Sequence, residues 1–116
     1  MSVDLASKRC RPCEGGVPAL GEDEAAGYLR TLKEWHLTPD RKGIRRGWRV
    51  KDFATALDFI NRIGRIAEEE DHHPDLHLTG YRNVAVELST HAIGGLSEND
   101  FILAAKIDQL PVELKT

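Results

Sequence analysis

A chain of 116 residues, of which 41% are hydrophobic and 30% charged, has the size and composition of one globular domain. Its 16 lysines and arginines against 19 aspartates and glutamates give a formal net charge of −3, which argues against a protein whose main task is nucleic-acid binding. No apolar run approaches the ~20 residues of a membrane-spanning helix and no hydrophobic signal core is present, so we expect a cytoplasmic protein that binds neither membrane nor nucleic acid.

The first 20 residues mix charged residues, glycine, proline and cysteine without a periodic apolar pattern. We interpret residues 1–20 as a loosely ordered arm that precedes a single domain over residues 21–116. The arm contains one CxxC pair, Cys10 and Cys13, whereas a four-ligand zinc site needs two such pairs or histidine partners. We therefore predict free thiols and no metal site within one chain; a site to which two chains each contribute a pair is the alternative.

Three elements are predicted before the middle of the chain. Acidic residues open the segment 22–33, which favours a short helix. Residues 35–37 and the alternating segment 44–51 favour two strands. The turn-rich residues 38–43 between them predict a hairpin.

From residue 52 to about residue 71, apolar residues recur at steps of three and four, which predicts a helix of about five turns. Asp52 is expected to cap its N-terminus. Pro74 is expected to end it, because the residue before a proline is pushed out of the helical region. The predicted buried stripe consists of Phe53, Leu57, Ile60, Ile63 or Gly64, and Ala67.

Two further strands and a helix complete the predicted fold. Residues 83–89 alternate between apolar and polar side chains, and residues 76–78 can pair with them through a tight turn. Ser97, with Asp100 three residues later, resembles a capping box for a last helix, which Pro111 closes. The element order predicts an α+β fold, a four-stranded antiparallel sheet with three helices packed on one face. Because the edges of such a sheet need shielding, we expect a homodimer or homotetramer.

Four of the five histidines, His72, His73, His77 and His91, lie within 20 residues of one another. Histidine exchanges protons near neutral pH, so this concentration indicates acid–base chemistry. Glu68 lies four residues before His72, on the same face of the predicted helix, and the helix C-terminus also favours the imidazolium form that a general acid needs. A solvated acidic helix end is the alternative for this pair, and an outward-facing strand residue is the better interpretation of His77. If the preceding strand continues without a bulge, His91 faces away from the core.

A spaced pattern extends this cluster in both directions: Glu68-x3-His72-His73-Pro74, then Tyr81, His91 and Asp100. The pattern resembles the signature of the pterin-4a-carbinolamine dehydratase family, and the segment 94–100 is also similar to family sequence. The resemblance implies the family fold, a four-stranded antiparallel sheet backed by three helices. It also implies a hydro-lyase, 4a-hydroxytetrahydrobiopterin dehydratase, which converts 4a-hydroxytetrahydropterin to quinonoid dihydropterin and water. Such an enzyme needs no metal or organic cofactor, and it recycles the cofactor of aromatic amino-acid hydroxylases.

The resemblance also assigns roles to residues of this sequence. It implies that His72 and His91 transfer protons and that His73 holds the pterin or shares that work. Which histidine meets which proton stays open, because the hydroxyl can leave from either ring face. The substrate-binding residues that the resemblance implies are Glu68, Asp71, Pro74, Ser89, Thr90, the backbone of Ala92 and Ile93, and Asp100.

Two alternatives to this enzyme stay open. Some members of the family are modules that stabilise the dimer of a partner protein, and others are suspected of serving another pterin pathway, such as molybdopterin metabolism. Members without catalysis tend to have lost part of the histidine set. The intact set in this chain favours the enzyme: Glu68, His72, His73, His91 and Asp100.

Overall fold

The computed structural model describes residues 5–11 and 18–116, and its elements follow the predicted order. Within these ranges, two short 3-10 helices, Leu5–Ser7 and His91–Ile93, accompany the α-helices and strands. No helix in this part of the chain combines the length and the apolar character required to cross a bilayer. The α-helices and strands are α1 (Glu22–Leu29), β1 (His36–Leu37), β2 (Ile44–Arg49), α2 (Phe53–Glu70), β3 (Asp75–Thr79), β4 (Asn83–Leu88) and α3 (Glu98–Asp108).

The four strands form one antiparallel sheet in the order β1-β2-β4-β3. β1 and β2 form the predicted hairpin, and β3 and β4 form a second one. The central strands β2 and β4 pair along their full length, from Ile44 opposite Leu88 to Arg49 opposite Asn83. The three α-helices and this sheet confirm the prediction of an α+β fold.

The inward face of the sheet and the helices enclose one hydrophobic core. In β2 and β4 the even-numbered apolar residues, such as Ile44, Trp48 and Val84, are buried, as their alternation predicts. The Trp48 ring makes edge contacts with Trp35 and Phe59, at centroid distances of 5.9 and 5.1 Å. These contacts hold α2 against the centre of the sheet.

Helix α2 buries only part of the predicted stripe, since Ile63 and Ala67 are buried as predicted but other positions are not. Asp52 caps its N-terminus as predicted, because its side chain accepts the Thr55 N–H at 2.8 Å, and this hydrogen bond holds the pKa of Asp52 below its usual value. The predicted core residues Phe53 and Leu57 are 49% and 44% exposed, so the prediction was wrong for them. Apolar residues occur on both flanks of this helix, and periodicity alone does not determine which flank faces the sheet. The buried positions are Ala56, Phe59, Ile63, Ala67 and Glu70.

The predicted end of α1 differs from the structure by several residues, whereas that of α2 agrees to about one residue but has another cause. α1 ends at Leu29 because the chain continues in single turns, in which the Leu32 N–H donates to the Leu29 carbonyl at 3.0 Å. α2 ends at Glu70, so Pro74 is not the residue that ends it. The end of α2 instead depends on backbone geometry that also positions the candidate site.

Candidate active site

The candidate site begins where α2 ends. Asp71 adopts a left-handed conformation (φ 51°), and its N–H donates to the Glu68 carbonyl at 3.3 Å. The N–H of His72 donates to the Ala67 carbonyl at 3.2 Å. This pair of bonds is the Schellman arrangement, which ends a helix and usually has glycine at the left-handed position; aspartate tolerates that conformation better than most residues. The chain therefore leaves the helix before His72, ahead of Pro74.

Each of the two neighbouring histidines has a carboxylate partner. His72 Nε2 lies 2.6 Å from Asp100 Oδ1, and His73 Nε2 lies 2.7 Å from Glu68 Oε1. The side chain of His72 is 12% exposed and that of Asp100 fully buried, whereas those of His73 and Glu68 are 57% and 78% exposed. The expected pairing of Glu68 with His72 was wrong, because the left-handed Asp71 takes His72 out of the helical register. The buried pair is shielded from water, so solvent competes less for its hydrogen bond than for the exposed one.

Asp100 also connects His72 to the loop that carries the third histidine. Its Oδ2 accepts hydrogen bonds from the Thr90 hydroxyl at 2.9 Å and from the Ser97 backbone N–H at 3.0 Å. The hydroxyl oxygens of Thr90 and Ser97 lie 2.7 Å apart. Ser97 caps α3, so the buried carboxylate lies at a helix N-terminus, where the helix dipole stabilises a negative charge. Both oxygens of Asp100 thus have partners, which fixes its orientation and that of the His72 ring.

His91 begins the 3-10 turn that follows β4. Two backbone hydrogen bonds between Thr90 and Gly95, of 2.8 and 3.4 Å, close this turn at its base. β4 has already ended, so His91 neither continues the strand nor follows a bulge, and its side chain is exposed. Because the Thr90 hydroxyl binds Asp100, the same buried carboxylate anchors the base of the His91 turn and the His72 ring.

His72, His73 and His91 line one cleft of about 560 Å³, a volume within the range of small-molecule sites. The cleft lies between the end of α2, the loop after β4 and the start of α3. Four of the residues predicted to bind substrate also line it: Asp71, Ser89, Thr90 and Ala92.

The other predicted site residues lie around the cleft rather than in its lining. Glu68 and Pro74 line a neighbouring groove together with His73. Asp100 lies behind His72 and is fully buried, so its contact with the cleft is indirect. Ile93 ends the short turn that begins at His91 and is not among the lining residues of the cleft.

Sequence reasoning missed one side of the cleft, which the N-terminal arm and the adjoining helix ends form. Glu70 belongs to an acidic run, yet it lies in phase with the buried stripe of α2 and its side chain is 5% exposed. This phase is the one sequence signal that distinguishes it from its acidic neighbours. The missed lining residues are Cys10, Arg11, Glu69, Glu70 and Asn99.

Contacts between the arm and Glu70 set the ionisation of both partners. Burial acts to raise the pKa of Glu70, but the Cys10 N–H, the Lys106 ammonium and the Arg9 guanidinium together hold it below its usual value. Burial, with the nearby Glu70 charge, raises the pKa of the Cys10 thiol to about 12. Glu70 is therefore a carboxylate at neutral pH, and Cys10 is a protonated, unreactive thiol.

Nothing in the described ranges resembles a metal centre. Across residues 5–11 and 18–116, no three histidine, cysteine, aspartate or glutamate side chains group closely enough to hold an ion. Cys10 is a free thiol. Cys13 lies outside the described residues, so the prediction for the CxxC pair as a whole stays a prediction.

Similarity to known proteins supports the resemblance to the pterin-4a-carbinolamine dehydratase family. The family profile described as Pterin 4 alpha carbinolamine dehydratase matches residues 18–110, which is most of the chain. The chain belongs to this family. Its dehydratases are hydro-lyases, so the predicted family and the predicted enzyme class are both confirmed.

Individual relatives agree with this membership. The chain is 51% identical over 114 residues to pterin-4-alpha-carbinolamine dehydratase 2, mitochondrial, of Arabidopsis thaliana, and covers 61% of that longer protein. It is 48% identical over 108 residues to a putative pterin-4-alpha-carbinolamine dehydratase of Nitrosomonas eutropha; the match covers 92% of this chain and 93% of that protein. A crystal structure of a transcriptional coactivator/pterin dehydratase from Brucella melitensis superposes with a TM-score of 0.73 at 37% identity, over 78% of this chain and 95% of the other.

Proposed function

We propose that the chain dehydrates 4a-hydroxytetrahydropterin to quinonoid dihydropterin and water by histidine acid–base catalysis. The observation that carries this proposal is the convergence of His72, His73 and His91 on one cleft, with the buried carboxylate of Asp100 behind His72. Relatives named pterin-4-alpha-carbinolamine dehydratase support the substrate class.

The reaction needs one proton delivered and one removed. Hydroxide is a poor leaving group, so the C4a hydroxyl must be protonated as the C4a–O bond breaks and the oxygen departs as water. The N5 proton is lost, and the electrons of the N5–H bond form the N5=C4a double bond of the quinonoid product. No electrons are gained or lost overall, so the reaction needs no redox cofactor, and side-chain acid and base groups can supply both proton transfers. Positioned acid and base groups contribute about 10²–10⁴-fold to such a step.

His72 and His91 are the proposed proton-transfer groups. An imidazolium protonates the leaving hydroxyl, and a neutral imidazole accepts the N5 proton. The carboxylate of Asp100, with its Oδ1 2.6 Å from His72 Nε2, holds that ring in its orientation toward the cleft. Either assignment of acid and base to the two rings satisfies the proton balance. His73, in its exposed pair with Glu68, holds the pterin or shares the proton transfer.

The loop after β4 is proposed to meet the polar edge of the pterin. Ser89 and the backbone of Ala92 are proposed to supply hydrogen-bonding groups there. Ile93, whose N–H donates to the Thr90 carbonyl, is proposed to offer only its own carbonyl from beside the cleft. Thr90 lines the same cleft, but the residue is 4% exposed and its hydroxyl is bonded to Asp100 and close to Ser97. We assign Thr90 the role of holding the loop and the carboxylate together.

Asp71 and Pro74 flank the histidine pair and are proposed to orient it. Asp71 lines the cleft and its left-handed backbone directs the chain out of α2, while Pro74 fixes the backbone after His73. Asp71 therefore has both a backbone role and a carboxylate within reach of substrate.

The biological setting is proposed from the chemistry and the shape of the chain. The product is a form of the pterin that aromatic amino-acid hydroxylases use, so we propose a cytoplasmic enzyme that recycles their cofactor. β3 forms an edge of the sheet, and Leu57 and Leu76 are 44% and 37% exposed, which supports a homodimer or homotetramer. Light scattering on the purified chain measures this oligomeric state directly.

One comparison favours a second candidate function. The Brucella melitensis relative is described as a transcriptional coactivator as well as a pterin dehydratase. A module that stabilises a partner protein is therefore one alternative. A pterin-binding protein of another pathway, such as molybdopterin metabolism, stays open as a second alternative, which this description does not address. Capture of a stoichiometric partner together with no turnover of pterin supports the first alternative over the enzyme.

A coupled assay tests the proposed function. An aromatic amino-acid hydroxylase generates 4a-hydroxytetrahydropterin, and its decay is followed with and without this protein. We expect the decay to accelerate in proportion to protein concentration. Decay at the rate of buffer alone, across the pH range in which the chain is folded, contradicts the proposal.

A further inference from the structure

The described part of the N-terminal arm, residues 5–11, is bound to α3 along its length. Leu5 is 3% exposed within the hydrophobic core. The Lys106 ammonium donates to the Ala6 carbonyl at 2.8 Å, and the Lys8 ammonium pairs with Glu98 at 2.9 Å. The arm thus reaches the cleft as a fixed segment.

Two buried side chains hold the arm where it meets the cleft. Glu70 accepts the Cys10 N–H at 2.8 Å. Asn99 accepts the Arg11 N–H at 2.9 Å and donates to the Arg11 carbonyl at 2.5 Å, so it binds both backbone groups of one residue. Glu70 is 9% exposed and Asn99 6%. Buried polar side chains of this kind fix the backbone they bind, because losing either contact leaves an unsatisfied group away from water.

We propose that Cys10 and Arg11, here called the arm wall, contact the bound pterin and determine part of its affinity. Both residues line the same cleft as His72 and His91, in a position that Glu70 and Asn99 fix. The Arg11 guanidinium offers N–H donors to the oxygen atoms of a pterin or of its side chain. The Cys10 thiol is protonated and offers a small neutral surface. The inference rests on the proposed function, and it assigns affinity to the arm wall and proton transfer to the histidines.

The first test compares two arginines in the full-length chain. Arg11→Ala removes the guanidinium but keeps the backbone bonds to Asn99, and Arg30→Ala makes the same charge change at an exposed position outside the cleft. The readouts are the Kd for 7,8-dihydrobiopterin, which does not react, and KM and kcat for the carbinolamine. We expect Arg11→Ala to raise Kd and KM about tenfold with kcat within about twofold, as loss of a hydrogen bond to a charged group predicts. Arg30→Ala is expected to match the wild type.

The second test uses side-chain size at position 10. Cys10 lines the cleft, so the larger side chain of Cys10→Phe is expected to take up space in it; Cys10→Ala is the matched control without added bulk. We expect Cys10→Phe to weaken 7,8-dihydrobiopterin binding at least about tenfold at an unchanged circular-dichroism spectrum, and Cys10→Ala to bind within about twofold of the wild type. If the wild type is active and its pterin affinity is unchanged in both Arg11→Ala and folded Cys10→Phe, the proposed contact between the arm wall and the pterin is overturned, but the proposed function is not. A wild-type chain that neither binds pterin nor dehydrates the carbinolamine overturns the proposed function as well.

Discussion

Replacing Asp100 by asparagine removes the charge behind His72 and keeps the shape of the side chain. The asparagine oxygen still accepts from the Thr90 hydroxyl and the Ser97 N–H, so its amide group turns toward the His72 ring. An amide donor at that position requires Nε2 of the ring to accept, so the hydrogen bond between the ring and a charged carboxylate is lost. A hydrogen bond to a charged group contributes about 1.5–3 kcal/mol. At about 1.4 kcal/mol for each factor of ten, we expect Asp100→Asn to lower kcat/KM about 10- to 150-fold.

A double-mutant cycle in the carbinolamine assay checks this reasoning. If Asp100 acts through the His72 ring, Asp100→Asn is expected to change the residual activity of His72→Ala by less than about threefold. The matched control is Asp58→Asn, which alters a surface carboxylate that pairs with Arg62 on α2 and is expected to leave kcat/KM unchanged. An equal loss from Asp100→Asn in the wild-type and His72→Ala backgrounds refutes the proposed coupling.

Four further outcomes are expected. Glu68→Gln weakens an exposed pair with His73, so the free energy of unfolding in urea is expected to change by less than ~0.5 kcal/mol; a larger loss contradicts the assigned exposure. Asp71→Gly removes a carboxylate that lines the cleft but keeps the left-handed helix end. We therefore expect kcat/KM to fall while Tm is retained, and a parallel fall of both indicates a structural role only. Asp52→Ala removes the cap of α2, so Tm is expected to fall with kcat/KM unchanged. The pKa of Glu70 is lower in the folded chain than in the unfolded chain. Its carboxylate therefore stabilises the fold fully above the ordinary pKa of 4.5, and this stabilisation is lost as the pH falls below 4.5. Stability is therefore expected to decline less steeply below pH 4.5 in Glu70→Gln than in the wild type, and equal slopes contradict this.

The strands could be predicted from the sequence because the alternation of their side chains depends only on the local backbone conformation. Alternation in the segments 44–51 and 83–89 assigns the inward residues correctly, since successive side chains of a strand point to opposite faces whatever the sheet packs against. Helix α2 shows the limit of this reasoning. Its length and its Asp52 cap follow from sequence, but Phe53 and Leu57 are exposed, because the flank that faces the sheet depends on tertiary packing.

The histidine partners could not be predicted from spacing. A helical step of four residues pairs Glu68 with His72 only while the helix continues, and the left-handed Asp71 ends it between them. The actual partner of His72 is Asp100, 28 positions away. Such pairings depend on how α2 and α3 pack, which no local pattern encodes.

The contacts of the arm wall were even less predictable from the sequence than the histidine partners. Cys10 and Glu70 are 60 positions apart, and Arg11 and Asn99 are 88 positions apart. A mixed segment without apolar periodicity indicates a loosely ordered arm, because sequence patterns report propensity for regular elements and not individual hydrogen bonds to a distant helix end. The described residues 5–11 are held by such bonds. The arm over residues 1–20 as a whole stays a prediction, since part of it lies outside the described ranges.

The turnover of freshly generated 4a-hydroxytetrahydropterin by a variant without both cleft imidazoles, His72→Ala combined with His91→Ala, tests the central claim most directly. The wild type is expected to accelerate decay of the carbinolamine, and the folded double variant to lose about 10²–10⁴-fold of that acceleration while it still binds 7,8-dihydrobiopterin. A double variant that is folded and dehydrates the carbinolamine as fast as the wild type would contradict histidine catalysis in this cleft.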